Sequence, residues 1–316
     1  MSVLKRSLGR VITAMITPFN EDGTVKQSLY KKTTGANATF KEIGAVALGR
    51  HLVEHGSEGL LVGATTGEGA TMTNEEKLRL YQLMVRELGP QVPIIANTGG
   101  IDTLATIEFT KQVAETGVDA VLVICPFYVK PTQEGLYRHF TTIAHALPDV
   151  PIMVYNVPGR TRSDIKPATL KRVVDECPNV IGVKDATGNL EQVSEERRIL
   201  PDDFLIYSGD DSITLPIMSV GGDGVISVAS HVVGDDMLAM IDAYQHGDVK
   251  KAQQLHIKMF PIMTGLFFIT SPIPVKTAMN LLGLPGGAFR LPMVDANEEE
   301  TAFVRSLLVN YGLLDA

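Results

Sequence analysis

The segment Val180–Lys184 (VIGVK) decides the fold, because an uninterrupted apolar run ends there on a single charged residue. A continuous apolar run of this length is typical of a β-strand buried on both faces, as in a parallel sheet covered by helices. Seven further runs of this kind recur along the chain: Val11–Phe19, Gly59–Val62, Pro93–Thr98, Ala120–Phe127, Pro151–Asn156, Phe204–Ser208 and Gly224–Ala229.

The segments between these runs have helical periodicity. Glu75–Leu88 (EEKLRLYQLMVREL) places apolar side chains near one side of a helix, and Thr103–Thr116 and Glu134–Ala146 have a similar pattern. Strand followed by helix, eight times, predicts an α/β fold of the (β/α)8 TIM-barrel type. A doubly wound sheet also alternates, but it favours a GxGxxG loop after its first strand, where this chain has Thr17-Pro18-Phe19-Asn20.

The C-terminal part of the chain has no strong strand pattern and is punctuated by prolines. Four helical segments are predicted there: Asp235–His246, Asp248–Phe268, Pro274–Leu282 and Glu298–Tyr311. We therefore predict a (β/α)8 barrel over residues 1–233 and a C-terminal helical region over residues 234–316 that packs on it. An extra segment near Tyr30–Ile43 fits neither pattern.

The composition excludes several classes of function. The chain has 36 acidic and 28 basic residues, a net charge of −8, and no basic run, so a nucleic-acid partner is disfavoured. The sequence contains no stretch of about 18 apolar residues, which is the length needed to span a membrane. Two cysteines in different segments, Cys125 and Cys177, form neither a disulfide framework nor a CxxC metal site. We expect a cytoplasmic protein that acts on small molecules.

The histidines form no metal-binding motif. His51 and His55 lie four residues apart on a predicted helix, and they could hold an ion only if a third ligand converged on them. A solvated helix face explains them more simply. No Walker or Rossmann glycine loop is present, so we assign neither a metal nor a nucleotide.

Lys184 is the most informative single residue, because catalytic groups of such barrels gather at the carboxyl ends of the strands. Its side chain begins inside an apolar strand, and burial lowers the pKa of a lysine. A partly neutral lysine can attack a ketone and form a Schiff base. A purely structural ion pair with Asp185 or Asp210 would explain the same residue equally well.

Three further polar features stand at predicted strand ends. Thr65–Glu68 offers two hydroxyls and a turn with free backbone N–H groups that can hold a carboxylate, although it also fits an ordinary turn. Tyr155 could relay a proton or could be an amphipathic core residue. Arg160 follows a Pro-Gly turn and could bind a second carboxylate, or lie on the surface.

Seven strings of residues carry a family resemblance: GATTGEGAT (63–71), CPFYVKPTQEGLYRHF (125–140), YNVPGRT (155–161), GVKDATGNL (182–190), SGDD (208–211), GGDGVISV (221–228) and PIPVKTAMNLLGL (272–284). Together they resemble the pyruvate-dependent class I aldolase superfamily, which includes N-acetylneuraminate lyase. Within it the chain is most similar to the dihydrodipicolinate synthase family. The resemblance runs from about Arg10 to the C-terminus, and the strings occur in the family's order.

The resemblance implies roles for five residues in catalysis and pyruvate binding. Lys184 resembles the lysine that forms the Schiff base with pyruvate. Thr66 and its neighbouring amides resemble the cradle for the pyruvate carboxylate. Thr65, Tyr155 and Tyr128 resemble a proton-relay trio, in which Tyr128 reaches in from a neighbouring subunit.

Three more positions match residues that bind the second substrate or line the pocket. Arg160 resembles the arginine at the site entrance that receives the carboxylate of aspartate semialdehyde. Gly209 and Ile226 match positions that line the pocket.

The activity that the resemblance implies is the condensation of pyruvate with L-aspartate 4-semialdehyde to 4-hydroxy-tetrahydrodipicolinate, in diaminopimelate and lysine biosynthesis. No metal or organic cofactor is implied, because the lysine supplies the electron sink. By resemblance the assembly is a homotetramer, and Tyr128 acting in trans requires at least a dimer.

Two alternatives remain open. The first is a sugar-acid aldolase on the same scaffold, cleaving N-acetylneuraminate or a 2-keto-3-deoxy acid, although the Arg160 position usually differs in those enzymes. The second is a paralogue that binds pyruvate-like ligands without turnover. Against it, the lysine, tyrosine and threonine are all present together.

The chain departs from the family at the site where lysine inhibits some members. The matching positions are Asn74, Lys77, Ile101, Ala105 and Phe127. Ile101 and Ala105 cannot supply the amide or carboxylate partners that a bound amino acid needs. We predict weak or absent feedback inhibition by lysine.

Overall fold

The computed structural model describes residues 4–20 and 44–315, and the extra segment near Tyr30–Ile43 lies outside the described residues. Within them, eight parallel strands close into a barrel in chain order, with β8 paired to β1. The strands are β1 Val11–Ala14, β2 Gly59–Val62, β3 Ile94–Asn97, β4 Ala120–Ile124, β5 Ile152–Asn156, β6 Val180–Asp185, β7 Leu205–Ser208 and β8 Gly224–Ser227. The predicted (β/α)8 fold is confirmed.

All eight strands coincide with the apolar runs found in the sequence, although β1 is shorter than predicted. It ends at Ala14, whereas the apolar run continues to Phe19. Thr17 instead donates a hydrogen bond from Oγ1 to the Gly67 carbonyl (2.7 Å), and Pro18 has no N–H for a strand ladder. The segment after β1 therefore leaves the sheet and packs against the loop after β2.

Six of the described α-helices begin where a side chain accepts a hydrogen bond from a free N–H group. Thr73 and Glu76 form a reciprocal capping box at the start of α2, and Asn297 and Glu300 form another at α12. The helices of the described residues are α1 Ala45–Glu54, α2 Asn74–Leu88, α3 Thr103–Ala114, α4 Gln133–Ala146, α5 Pro158–Thr161, α6 Pro167–Glu176, α7 Leu190–Ile199, α8 Thr214–Ser219, α9 Ser230–Gln245, α10 Val249–Gly265, α11 Ile273–Leu281 and α12 Glu298–Tyr311.

The strands separate two apolar cores. One fills the space between the outer faces of the strands and the surrounding helices. The other fills the inside of the barrel with side chains such as Leu61, Leu122 and Met153, and it includes Tyr155 and Tyr207. Because this interior is packed, the barrel is not a pore, and a ligand is expected at the loops that follow the strands.

The C-terminal helices extend the barrel on one side. α9 packs against β1, α10 runs along α9, and α12 packs on α10 and α11. The predicted division at residue 233 falls inside α9, at a local break where Val233 has φ −132° and ψ 31°. No helix within the described ranges is long and apolar enough to cross a membrane.

Candidate active site

Lys184 lies near the carboxyl end of β6, where the strand register places it between Tyr155 of β5 and Tyr207 of β7. Its side chain is buried, and Nζ lies 4.5 Å from the centroid of the Tyr155 ring. Among the residues that the structure describes, none forms a hydrogen bond or an ion pair with this amine. The strand therefore holds the amine in a largely apolar setting next to an aromatic face.

The pKa of Lys184 is lowered to about 8, mainly by burial; the nearby Asp211 carboxylate opposes this shift, and the positive charge of Arg160 adds to it. At pH 7 a group with such a pKa is about one tenth neutral, compared with about 0.03% for an ordinary lysine. The barrel thus raises the fraction of nucleophilic amine by more than about a hundredfold.

The structural alternative for Lys184, an ion pair with Asp185 or Asp210, is not observed in the described part of the chain. Asp185 accepts hydrogen bonds from the backbone N and Oγ1 of Thr187, at 3.0 and 2.8 Å. Asp210 accepts from the backbone N of Ser212 at 2.8 Å. Both carboxylates stabilise their own loops, so they do not neutralise the lysine.

Asp211 is the carboxylate that acts on Lys184, and sequence reasoning missed it. Its side chain is buried, and Oδ2 accepts hydrogen bonds from the backbone N atoms of Val228 (3.1 Å) and Ala229 (2.9 Å). Burial raises the pKa of Asp211 to about 6. The SGDD string contains this residue, but two adjacent aspartates give no sign of which one turns inward.

The Thr65 side chain lies near the Tyr155 side chain, although Thr65 follows β2 and Tyr155 is part of β5. Burial raises the pKa of Tyr155, while the positive charge of Arg160 and the polar side chain of Thr65 oppose that shift. A neutral phenol beside a hydroxyl, with its ring against Lys184, can carry a proton toward or away from the lysine side of the site.

The turn after β2 presents Thr66 and its neighbouring amides. The Glu68 amide donates to the Thr65 carbonyl at 3.0 Å, which closes the turn. The amides of Thr66 and Gly67 have no intrachain acceptor among the described residues. Successive free N–H groups in a turn form a site for an anion such as a carboxylate.

A buried ion pair supports this turn from behind, and it was not predicted. Lys276 of α11 lies 2.6 Å from the Glu68 carboxylate, and both side chains are almost fully buried. Lys276 Nζ also donates to the carbonyls of Thr17 (3.1 Å) and Ala288 (2.5 Å). The C-terminal region therefore stabilises the loop that carries Thr65 and Thr66. The partners are 208 positions apart, so no local pattern could pair them.

The other three candidates, Arg160, Gly209 and Ile226, lie at different depths. Arg160 is exposed on α5, the single turn after β5. A Cβ on Gly209 would lie only 2.7 Å from the Cβ of Ala186, so only glycine lets the end of β7 approach β6 this closely. Ile226 is buried in the interior of the barrel. Charge lies at the rim and apolar packing below it.

Tyr128 is the candidate that the single chain does not bring to the lysine. Its side chain is 86% exposed, its φ is 69°, and its amide donates to the Thr161 carbonyl at 3.3 Å. The role expected of Tyr128 requires a neighbouring subunit, so it stays a prediction.

A closed (β/α)8 barrel with a buried, partly neutral lysine at its carboxyl end defines a class of lysine-dependent barrel enzymes. Comparison with known proteins narrows this class. Residues 7–310 match the Dihydrodipicolinate synthetase family. The chain is 46% identical over 306 residues to the 4-hydroxy-tetrahydrodipicolinate synthase of Desulforamulus reducens, covering 97% of this chain and 98% of that relative. It is 47% identical over 305 residues to the enzyme of that name from Heliobacterium modesticaldum, covering 96% of each.

A solved structure agrees with these relatives. The crystal structure of DHDPS from Cyanidioschyzon merolae with lysine bound matches this chain with a TM-score of 0.90 and 39% identity, over 97% of this chain and 99% of that one. The chain therefore belongs to the dihydrodipicolinate synthetase family.

Proposed function

We propose that this chain condenses pyruvate with L-aspartate 4-semialdehyde to form 4-hydroxy-tetrahydrodipicolinate, a step of diaminopimelate and lysine biosynthesis. The observation that carries the proposal is the buried Lys184 amine, which has no ion-pair partner among the described residues and a pKa lowered to about 8. Relatives with this synthase name cover nearly the whole chain. Both observations point to carbonyl chemistry on an amine.

The reaction begins on the neutral form of Lys184. Its amine attacks the ketone carbon of pyruvate, and loss of water gives a Schiff base, which acts as the electron sink. Loss of a proton from the methyl group then gives an enamine, whose carbon attacks the aldehyde. The amino group of the condensed semialdehyde closes the ring on the imine carbon and releases Lys184. Tyr155 and Thr65 move the protons.

Two features hold the carboxylates of the two anionic substrates. Thr66 and its neighbouring amides bind the pyruvate carboxylate, and Arg160 at the rim binds the carboxylate of the semialdehyde. Gly209 and Ile226 line the pocket. Since the chain carries a net charge of −8, this local positive field is what attracts the substrates.

We extend the proposal to cofactor use, oligomeric state and cellular compartment. The reaction needs no metal or organic cofactor, because the lysine itself supplies the electron sink. A homotetramer in the cytoplasm is proposed, in which Tyr128 enters the site of a neighbouring copy. Exposed apolar side chains in the segments that follow β3 and β4, the second of which carries Tyr128, support such an interface: Ile101, Leu104, Phe127 and Val129.

Lysine is proposed to be a weak inhibitor or none. Lys77 packs its ammonium 4.5 Å from the Phe109 ring, and Ile101 and Phe127 add apolar surface. A steady-state assay with lysine tests this proposal, and a potent inhibition constant would overturn it. The structure from Cyanidioschyzon merolae was solved with lysine bound. The assay therefore asks whether this chain differs from that relative in its response to lysine.

A substrate panel tests the proposed reaction. Pyruvate with aspartate semialdehyde should be consumed, while N-acetylneuraminate and 2-keto-3-deoxy sugar acids should not be cleaved. Preferred cleavage of a sugar acid would replace the proposal with the aldolase alternative, and no turnover of any substrate would leave a pyruvate-binding paralogue.

The Arg160→Ala variant tests the assigned role of the rim arginine. Its KM for the semialdehyde should rise far more than its KM for pyruvate, because only the second carboxylate loses its partner. Equal effects on both constants would contradict this role.

A further inference from the structure

A second group of polar side chains lies at the opposite end of the barrel from Lys184, where α4 and α6 end. His145 is in the last turn of α4, Glu176 is the last residue of α6, and Cys177 follows it. Their potential ligand atoms all lie within 4.8 Å of one another. An imidazole, a carboxylate and a thiol together form a donor set for a borderline-soft divalent ion.

We propose that His145, Glu176 and Cys177 bind a divalent cation of the zinc class. A tetrahedral ion with bonds of about 2.0–2.1 Å to nitrogen and oxygen sets those two atoms about 3.4 Å apart. His145 Nε2 and Glu176 Oε1 are 3.4 Å apart. The thiol needs a separation of about 3.6 Å from each of them, so a small side-chain rotation completes the three ligands. Water takes the fourth position.

Neighbouring side chains hold these ligands in place. The Tyr137 hydroxyl donates to Glu176 Oε2, which leaves Oε1 facing His145. Asn179 Nδ2 donates to the carbonyls of Ala144 (3.1 Å) and Leu147 (2.9 Å), so the end of α4 is tied to the segment after α6. Such outer partners orient ligands and typically change metal affinity by about 10–100-fold.

The local charges also favour a cation. Two helix carboxyl ends meet here, and each carries partial negative charge, in addition to the Glu176 carboxylate. Arg172 is the nearby positive group, with its guanidinium 3.8 Å from the centroid of the Tyr137 ring, but it pairs with Glu134 at 3.0 Å.

The position of the site indicates its role. It joins two barrel helices at the amino ends of the strands, so a bound ion acts as a brace between α4 and α6 and takes no part in the Schiff-base chemistry. No short motif shows it, because His145 comes from one helix and Glu176 and Cys177 from another. The proposal does not depend on the proposed reaction.

Cobalt titration of the metal-free full chain tests the site, because a thiolate bound to Co²⁺ gives a charge-transfer band in the near ultraviolet. We expect about one equivalent of Co²⁺ per chain, its displacement by Zn²⁺, and a higher Tm with Zn²⁺. Cys177→Ser should abolish the band. Cys125→Ser is the matched control, since that thiol lies inside the barrel fold, and it should retain the band.

A second variant keeps the test valid if Cys177→Ser does not fold. His145 is exposed, so His145→Ala removes a ligand without disturbing the core, and it should weaken Zn²⁺ binding at least about tenfold in competition with a chromophoric chelator. Tyr137→Phe should weaken it less. A missing cobalt band, a band that survives Cys177→Ser, or unchanged Zn²⁺ affinity in His145→Ala would each overturn the proposal.

Discussion

Two lysines are buried in the described part of this protein, and their surroundings differ in kind. Lys276 of α11 is paired with Glu68 at 2.6 Å and donates to two backbone carbonyls. Lys184 of β6 faces the Tyr155 ring, and no ion-pair partner is found for it in the described residues. Burial alone therefore does not identify a nucleophile. What distinguishes Lys184 is burial without a partner, which keeps part of the amine neutral.

The two lysines depend on each other through the loop after β2. Glu68, the partner of Lys276, closes the turn that carries Thr65 and Thr66, and the Thr65 side chain lies near Tyr155 beside Lys184. One buried charge stabilises the loop, and the other does chemistry next to it. Substitutions at each lysine should separate these two roles.

The largest effect is expected for catalysis at Lys184. Lys184→Met should lower kcat by more than about a thousandfold, because the nucleophile is lost. Lys184→Arg should lower kcat as much, because arginine keeps the positive charge but has no free amine. Steady-state assays with purified variants measure this. Residual activity within about tenfold of the original protein would contradict the role of Lys184.

The next effect concerns stability at Lys276. Lys276→Met should lower the free energy of unfolding by about 3–5 kcal/mol, because it leaves the Glu68 carboxylate buried without its partner. Urea unfolding at fixed protein concentration measures this, with Lys184→Met as the matched control expected to lose less than about 1 kcal/mol. The double variant Glu68→Gln with Lys276→Met should recover part of the loss. Equal losses at both lysines would remove the distinction between them.

A smaller effect is expected at Tyr155. Tyr155→Phe keeps the ring that packs against Lys184 but removes the hydroxyl near Thr65 that is proposed to move protons, so kcat should fall about a hundredfold with little change in stability. Thr65→Val should also lower kcat. Activity within about threefold of the original protein would exclude a proton-relay role.

The smallest effect is a shift of the pH profile. The acid limb of kcat/KM for pyruvate reports the proton leaving Lys184. Asp211 raises the pKa of Lys184 and Arg160 lowers it, so Asp211→Asn should move this limb to lower pH and Arg160→Ala should move it to higher pH. Each shift should be smaller than about one pH unit. Shifts of the same sign in both variants would contradict the assigned electrostatics.

The sequence predicted the barrel well because each buried strand leaves an uninterrupted apolar run. It also predicted Lys184, Tyr155, Thr65 and Arg160 as candidates, since residues at strand ends converge in this fold. Contacts between distant segments could not be predicted. Which aspartate of the SGDD string turns toward Lys184, and which carboxylate Lys276 meets, depend on packing that no local pattern records.

The central claim is that Lys184, rather than Lys276, forms the Schiff base with pyruvate. Incubation of the full chain with pyruvate and borohydride, followed by peptide mass mapping, tests it most directly. A reduced adduct should form on the peptide that contains Lys184 and be absent from the peptide that contains Lys276. No adduct, or an adduct on Lys276 alone, would contradict the account.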